Sequence, residues 1–155
     1  MKALFFRLSS FFLMLILLAA GCDSDNNNDD DAPFPDAVII KELPKITAVG
    51  NSNSSEIVQT QKGLESIFSQ KDLESFEDLQ NIDFSKHTLL LGYGTYSNEV
   101  SDMEHSFTKT GTSEYTYILR VSGDATRPDV FRYGIVVEKL PITAEIIFKI
   151  EELEL

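Results

Sequence analysis

The chain has 155 residues, with 25 acidic and 13 basic side chains, a formal net charge of −12 and one cysteine. This acidic balance excludes binding to the phosphates of nucleic acids, which requires clustered Lys and Arg, and a single cysteine excludes an internal disulfide. Stability must therefore come from the packing of apolar side chains.

Residues 1–21 have the three parts of a secretory signal peptide. Lys2 and Arg7 supply positive charge, residues 11–20 are an uninterrupted apolar stretch, and a small residue follows it. A membrane-spanning helix needs ~20 apolar residues, about twice the length of this stretch, so a retained helical anchor is the weaker interpretation. We predict that the signal peptide is removed.

Cys22 follows Leu-Leu-Ala-Ala-Gly, and this arrangement resembles the lipobox of bacterial lipoproteins. In that family the thiol is alkylated by diacylglycerol and the chain is cut before the cysteine. Ala19 stands where the family most often has leucine. The resemblance implies an outer-membrane protein anchored by lipid at Cys22. Several acyl chains, each adding ~0.8 kcal/mol per buried methylene, make a stable anchor where one chain is marginal.

Residues 22–36 contain six acidic side chains, no basic ones and few apolar ones. Such a segment cannot bury enough apolar surface to offset its ordering entropy, so we predict a disordered, solvated tether. It is not a calcium loop, because Asn28 and Phe34 stand where that motif has Gly and Glu, and no metal site is predicted. An acidic run after the lipidated cysteine is similar to the surface-export signals of Bacteroidetes-type lipoproteins. This implies a domain exposed on the cell surface, with a periplasm-facing domain as the alternative.

Residues 37–155 form the single globular domain that the sequence predicts. They carry nineteen acidic and eleven basic side chains, a net charge of −8, and are numerous enough to bury one core. Strands are predicted at residues 37–41, 46–49 and 56–60. A break is predicted at Pro44, which cannot donate to a sheet ladder.

A helical segment follows these strands, because apolar residues recur at helical spacing from Leu64 to Leu79. Thr60 is its predicted N-cap. A polar break at residues 69–72 leaves two alternatives open, one bent helix or two short helices.

The remaining segments have the patterns of β-strands. Residues 88–93 are nearly continuously apolar, as in the middle of a sheet, and residues 100–121 alternate on both sides of a glycine turn, which predicts a hairpin. A second hairpin is predicted from residues 131–140 and 144–150. The predicted fold is α+β, a mostly antiparallel sheet with the helical segment packed on one face.

Three stretches together resemble the C-terminal domain of PrcB-type protease-complex subunits. They are residues 57–58 with the helix after them, Asn-Ile-Asp-Phe-Ser-Lys at 81–86, and the apolar strand at 88–92. The family's Pro-Thr-Gly-Gly-Tyr turn is absent, and Gly-Tyr-Gly-Thr-Tyr stands at residues 92–96 instead. The resemblance implies a non-catalytic module that stabilises or docks a partner protein.

The residues with catalytic chemistry do not form a recognised site. His87 and His105 lack the cysteines or the His-Glu-x-x-His pattern of a zinc site. Asp83, Ser85 and His87 are the residue types of a hydrolase triad, but positions that alternate along one extended segment lie side by side rather than in a base-to-nucleophile chain. We therefore predict no enzyme activity and no cofactor.

Aromatic side chains are the one feature with the chemistry of ligand binding. Tyr93, Tyr96 and Tyr133 lie on or beside predicted strands and are candidates for stacking against sugar rings. Alternating Tyr and Phe also form the half-buried faces of ordinary sheets, and core packing is the favoured interpretation. Two functions remain. One is a module that binds another envelope or surface protein through a sheet edge or the helix-free face; the alternative is a small-ligand or glycan-binding lipoprotein.

Replacing Cys22 with serine tests the anchor. Cys22→Ser removes the thiol that accepts the lipid, so we expect the protein to move from the membrane fraction to the soluble fraction in cell fractionation. Ser24→Ala is the matched control, because it leaves the thiol intact and should stay in the membrane fraction. A Cys22→Ser protein that remains with the membranes contradicts the lipobox prediction.

Overall fold

The computed structural model describes residues 37–47 and 52–153. The predicted signal peptide, the lipidation site Cys22 and the tether lie outside the described residues. No helix within the described part of the chain is both long and apolar enough to span a bilayer.

Strands dominate the described domain. In chain order its elements are β1 (Ile39–Ile46), β2 (Glu56–Val58), α1 (Gln61–Ile67), α2 (Gln70–Ser75), a 3-10 turn (Glu77–Leu79), β3 (His87–Tyr96), β4 (Asp102–Lys109), β5 (Glu114–Ser122), β6 (Asp129–Glu138) and β7 (Glu145–Glu152). The strands form a four-stranded sheet in the order β1-β6-β3-β2 and a three-stranded sheet in the order β4-β5-β7. The fold is α+β, which confirms the predicted class, but the strands divide between two sheets where the sequence predicted one.

The four-stranded sheet lies between two apolar layers, because its strands direct alternate side chains to opposite faces. One face packs against the helical segment through Leu64, Ile67 and Phe68. The other face packs against the three-stranded sheet, where Tyr117 and Leu119 of β5 are fully buried. The face expected to be free of helices is therefore covered by the second sheet.

The predicted central strand and the first predicted hairpin are confirmed. β3 has a strand on each side, β2 and β6, and its apolar run is buried on both faces. β4 and β5 pair antiparallel, with Phe107 opposite Tyr117.

The helical segment consists of two short helices, which decides between the alternatives that the sequence left open. Thr60 caps α1 as predicted, its side chain accepting a hydrogen bond from the backbone N–H of Gly63 at 3.0 Å. Ser69 and Asp72 form a capping box at the start of α2. Because the capping box holds Ser69 in extended backbone, α1 cannot continue into α2.

The predicted break at Pro44 is wrong. β1 continues through Pro44 from Ile39 to Ile46 and pairs antiparallel with β6. Edge strands and bulges are the places where a sheet tolerates proline, and β1 supplies both, because it lies at the sheet edge and its register shifts between Leu43 and Ile46.

The second predicted hairpin is also wrong. β6 pairs with β1 and β3, so both of its edges are occupied before β7 is reached. β7 instead joins the other sheet, parallel to β5, although antiparallel partners were expected. The turn between the two strands, in which the Ala144 N–H bonds the Pro141 carbonyl at 3.0 Å, carries the chain from one sheet to the other.

Candidate functional site

The polar residues considered for catalysis serve the fold. The Asp83 carboxylate accepts hydrogen bonds from the hydroxyl and the backbone N–H of Ser85, and these bonds hold the pKa of Asp83 below its ordinary value. His87 is joined to Asp83 through the backbone, its N–H donating to the Asp83 carbonyl at 2.9 Å, so the three side chains do not form a triad. Among the described residues, no group of three His, Cys, Asp or Glu side chains is placed to hold a metal ion.

The second histidine belongs to the space between the sheets. His105 Nδ1 lies 2.7 Å from the hydroxyl of Tyr117, which is itself fully buried. Burial lowers the pKa of His105, while the charge of Glu42 opposes that shift. Burial also raises the pKa of Tyr117, so the pair is neutral at neutral pH.

Tyr93, Tyr96 and Tyr133 do not form one exposed surface. Tyr133 is 1% exposed and lies between the two sheets, where burial raises the pKa of its hydroxyl to about 12. Tyr96 borders the same core, and its hydroxyl donates to Glu152 at 3.1 Å. Tyr93 points to the opposite face, because Gly92 is the residue paired with Tyr133 and neighbours along a strand alternate.

Four strands of the described domain lie at sheet edges, and three of them carry features that discourage pairing with another chain. β1 contains Pro44 and an irregular register, and its Lys45 bonds the Val100 carbonyl and the Asp129 carboxylate. The charged side chains along β4 and β7 are Asp102, Glu104, Lys109, Glu145, Lys149, Glu151 and Glu152. Proline, bulges and charges are the usual protections of an edge strand. β2 differs, because Glu56 at its start is its one charged residue.

The pairing of β2 with β3 determines which backbone groups of β2 form hydrogen bonds within the sheet. Tyr93 donates its backbone N–H to the Ser55 hydroxyl at 3.2 Å, on the β2 side of β3. Because backbone groups alternate in direction along a strand, the β3 residues two and four places before Tyr93 face the same way. Those residues are the partners of Glu56 and Val58. Glu56 and Val58 therefore direct their N–H and C=O groups to β3.

Ile57 directs its N–H and C=O to the opposite, open side of β2. Its partner in the register is Leu90, whose own backbone groups face β6. No strand lies on the open side in the described part of the chain. The Ile57 side chain is 39% exposed beside these backbone groups.

A groove runs along this open side of β2. One wall is α1 with the residue before it, which contribute Thr60, Gly63 and Ile67. The other wall is the turn between β6 and β7, where Ile142 is 94% exposed. Exposed apolar side chains next to available backbone groups are the features of a site that accepts an extended chain as an added strand. We call this site the β2 groove.

The β6–β7 wall of the groove is fixed in place by hydrogen bonds. Gln59 Nε2 donates to the Leu140 carbonyl at 3.1 Å, and Lys139 Nζ donates to the Gln59 carbonyl at 3.0 Å. The Leu140 N–H bonds the Thr88 hydroxyl at 3.0 Å, which ties the same segment to β3. Hydrogen bonds therefore hold the backbone of the segment that forms this wall of the groove.

Arg132 holds the segment that leads into β2. Its side chain is fully buried on the helix side of β6, and its guanidinium donates to the carbonyls of Ser52 and Ser54, the second at 3.1 Å. The rings of Phe68 and Tyr93 each have their centroid 5.8 Å from the guanidinium carbon. A cation facing aromatic rings in a dry site gains from both contacts.

Sequence reasoning missed Arg132, although a signal exists. It is the one charged residue within the apolar run at 130–137, and a charge inside a central strand requires buried partners. Burial lowers the pKa of Arg132, and the charge of Glu56 opposes the shift. The guanidinium stays charged at neutral pH.

Comparison with known proteins found no relative of this chain. No protein family model, no curated protein and no solved structure matches the chain. The resemblance to PrcB-type subunits therefore stays a prediction, and function is argued from the geometry of the β2 groove.

Replacing Arg132 tests its role in holding the entry to β2. Arg132→Met leaves two carbonyls without their buried donor, so we expect the free energy of unfolding to fall by about 2–4 kcal/mol in chemical denaturation. Arg132→Lys keeps the charge but not the forked geometry and should recover only part of the loss. The matched control is Arg120→Met, which removes partly exposed ion pairs and should cost less than about 1 kcal/mol. Equal losses for the two methionine variants would contradict the role assigned to Arg132.

Proposed function

We propose that this chain is a lipid-anchored envelope or surface protein whose domain docks a segment of another protein in the β2 groove, without catalysing a reaction. The observation that carries the proposal is the open side of β2, where Ile57 directs its N–H and C=O away from the sheet. In strand addition, main-chain hydrogen bonds supply affinity and pockets for alternate side chains supply specificity. The β2 groove offers both.

The predicted anchor determines which proteins the groove can reach. A lipid on Cys22 and a tether at residues 22–36 place the domain close to a membrane. Fifteen residues span at most roughly 50 Å when fully extended. Partners are therefore proteins of the same membrane surface, in agreement with the docking role that the PrcB resemblance implies.

The local chemistry supports a binding role rather than a catalytic one. Asp83 is engaged by Ser85, and His105 lies against the buried hydroxyl of Tyr117. The polar side chains that the sequence offered for a reaction are thus engaged in the fold. The glycan-binding alternative loses its main support, because Tyr133 is buried and Tyr93 faces the other side of the sheet.

Site-specific photocrosslinking on intact cells tests the proposal. Benzoylphenylalanine is placed at position 142 in the groove wall or, as the matched control, at position 147. Both positions hold isoleucines, which are 94% and 57% exposed, and position 147 lies on the three-stranded sheet away from the groove. We expect one discrete protein adduct from position 142 and none from position 147.

The same experiment is repeated with Ile57→Pro, which removes the N–H on the open side of β2. Proline is tolerated at an edge position whose N–H faces solvent, so the sheet should stay intact in circular dichroism and thermal melting. The position 142 adduct should disappear in this variant. No adduct at position 142, an equal adduct at position 147, or an adduct that persists in Ile57→Pro would each contradict docking at β2.

A further inference from the structure

We infer that the segment accepted by the β2 groove is an extended chain in which apolar side chains alternate with basic ones. This inference rests on the proposed docking function and adds the chemistry of the partner. Three observations lead to this inference. The two walls of the groove contact alternate side chains of an added strand, the groove carries a negative charge, and the other possible occupants are negatively charged.

The two walls of the groove meet alternate side chains of any added strand. Glu56 and Val58 point to the helix side of the sheet, because Val58 belongs to the core beneath α1. Ile57 points to the other side, since its neighbours on β2 face the helices. An added strand follows the same pleat, so one set of its side chains lies beside Glu56 and α1, and the other set lies beside Ile57 and Ile142.

The Ile57 side of the groove favours apolar side chains. Ile57 and Ile142 are both exposed, and Ala144 and Pro141 complete this wall without a charged group. Covering two isoleucines removes apolar surface from water, which stabilises the complex. A polar side chain at this position would lose its water without gaining a hydrogen-bond partner from these four side chains.

The α1 side of the groove favours a basic side chain. Among the described residues that line the groove, Glu56 is the one that carries a charge. Its Oε1 accepts hydrogen bonds from the hydroxyls of Ser52 and Ser54 at 2.9 and 2.8 Å, which fix the carboxylate at the entry to β2. Burial lowers the pKa of Arg132, and the charge of Glu56 also opposes that shift. A Lys or Arg of the partner is attracted by the oriented carboxylate together with the net charge of −8 on residues 37–155.

Two other occupants are disfavoured by charge. The chain's own tether, residues 22–36, carries six acidic and no basic side chains, so it is repelled by Glu56. A second copy of the domain brings another net charge of −8 to the contact. Like charges placed together cost free energy, whereas a basic segment gains it. The partner is therefore a different chain.

Defined peptides test this inference with the intact protein in detergent. Three blocked, fluorescein-labelled nine-residue peptides are the probes: alternating valine and lysine, alternating valine and glutamate, and alternating serine and lysine. Fluorescence anisotropy gives their affinities. We expect the valine–lysine peptide to bind at least about tenfold more tightly than either other peptide, since the valine–glutamate peptide loses charge complementarity and the serine–lysine peptide loses the apolar contacts.

Variants separate strand addition from general attraction to an acidic protein. Ile57→Pro and Ile142→Ser should each weaken binding of the valine–lysine peptide by about tenfold, the first by removing a backbone donor together with the Ile57 side chain and the second by removing an exposed apolar side chain of the wall. Glu56→Gln should reduce the preference for lysine over glutamate. Ile147→Ser, at an exposed isoleucine outside the groove, should leave the affinity unchanged.

The outcomes distinguish failure of this inference from failure of the docking function. Tight binding without a preference for lysine, lost in Ile57→Pro, would overturn the basic partner and leave docking at β2 in place. Equal binding by wild type and Ile57→Pro would overturn strand addition itself. Absence of binding by the valine–lysine peptide at millimolar concentration, or concentration-dependent dimers that Ile57→Pro dissolves, would overturn the inferred partner in favour of another segment or a second copy.

Discussion

The buried guanidinium of Arg132 is the interaction on which the order of the open β2 edge depends. A charge inside a protein is costly unless its donors are satisfied, and here the carbonyls of Ser52 and Ser54 accept two of them while Phe68 and Tyr93 face the cation. The free-energy cost of burying Arg132 is offset only when the chain before β2 lies against the middle of the sheet. β2 has three residues and one neighbouring strand, so its own backbone hydrogen bonds are few. The hydrogen bonds from Arg132 to the segment before β2 therefore help to hold the strand in place.

The layered architecture limits where the proposed docking can occur. Helices cover one face of the four-stranded sheet and the second sheet covers the other, so neither face of that sheet is available. Three edges carry proline, bulges or charged side chains, which are protections against unwanted pairing. β2 is protected differently, by its short length and by the walls on either side of it. Such an edge is open to a single extended segment but is a poor template for a growing stack of strands.

Local sequence patterns predicted the parts of the fold that depend on nearby residues. The Thr60 cap, the β4–β5 hairpin and the buried β3 strand follow from a capping residue, alternation around a turn and a continuous apolar run. Patterns failed where long-range pairing decides the outcome. The tolerance of Pro44 depends on the place of β1 in the sheet, and β7 leaves β6 because strands from earlier in the chain already occupy both edges of β6. The β2 groove could not be predicted from the sequence either, since Ile57 and Ile142 are far apart in sequence and meet only in the folded domain.

Amide hydrogen exchange along β2, followed by NMR, reports which backbone groups of β2 face the open side. We expect fast exchange for the Ile57 N–H, which faces the open side, and slow exchange for the Val58 N–H, which bonds to β3. Addition of a bound strand should then slow Ile57 and leave Val58 unchanged. A protected Ile57 N–H beside a fast-exchanging Val58 N–H in the free protein would rule out an open edge at β2, because the backbone groups of Ile57 would then face into the sheet.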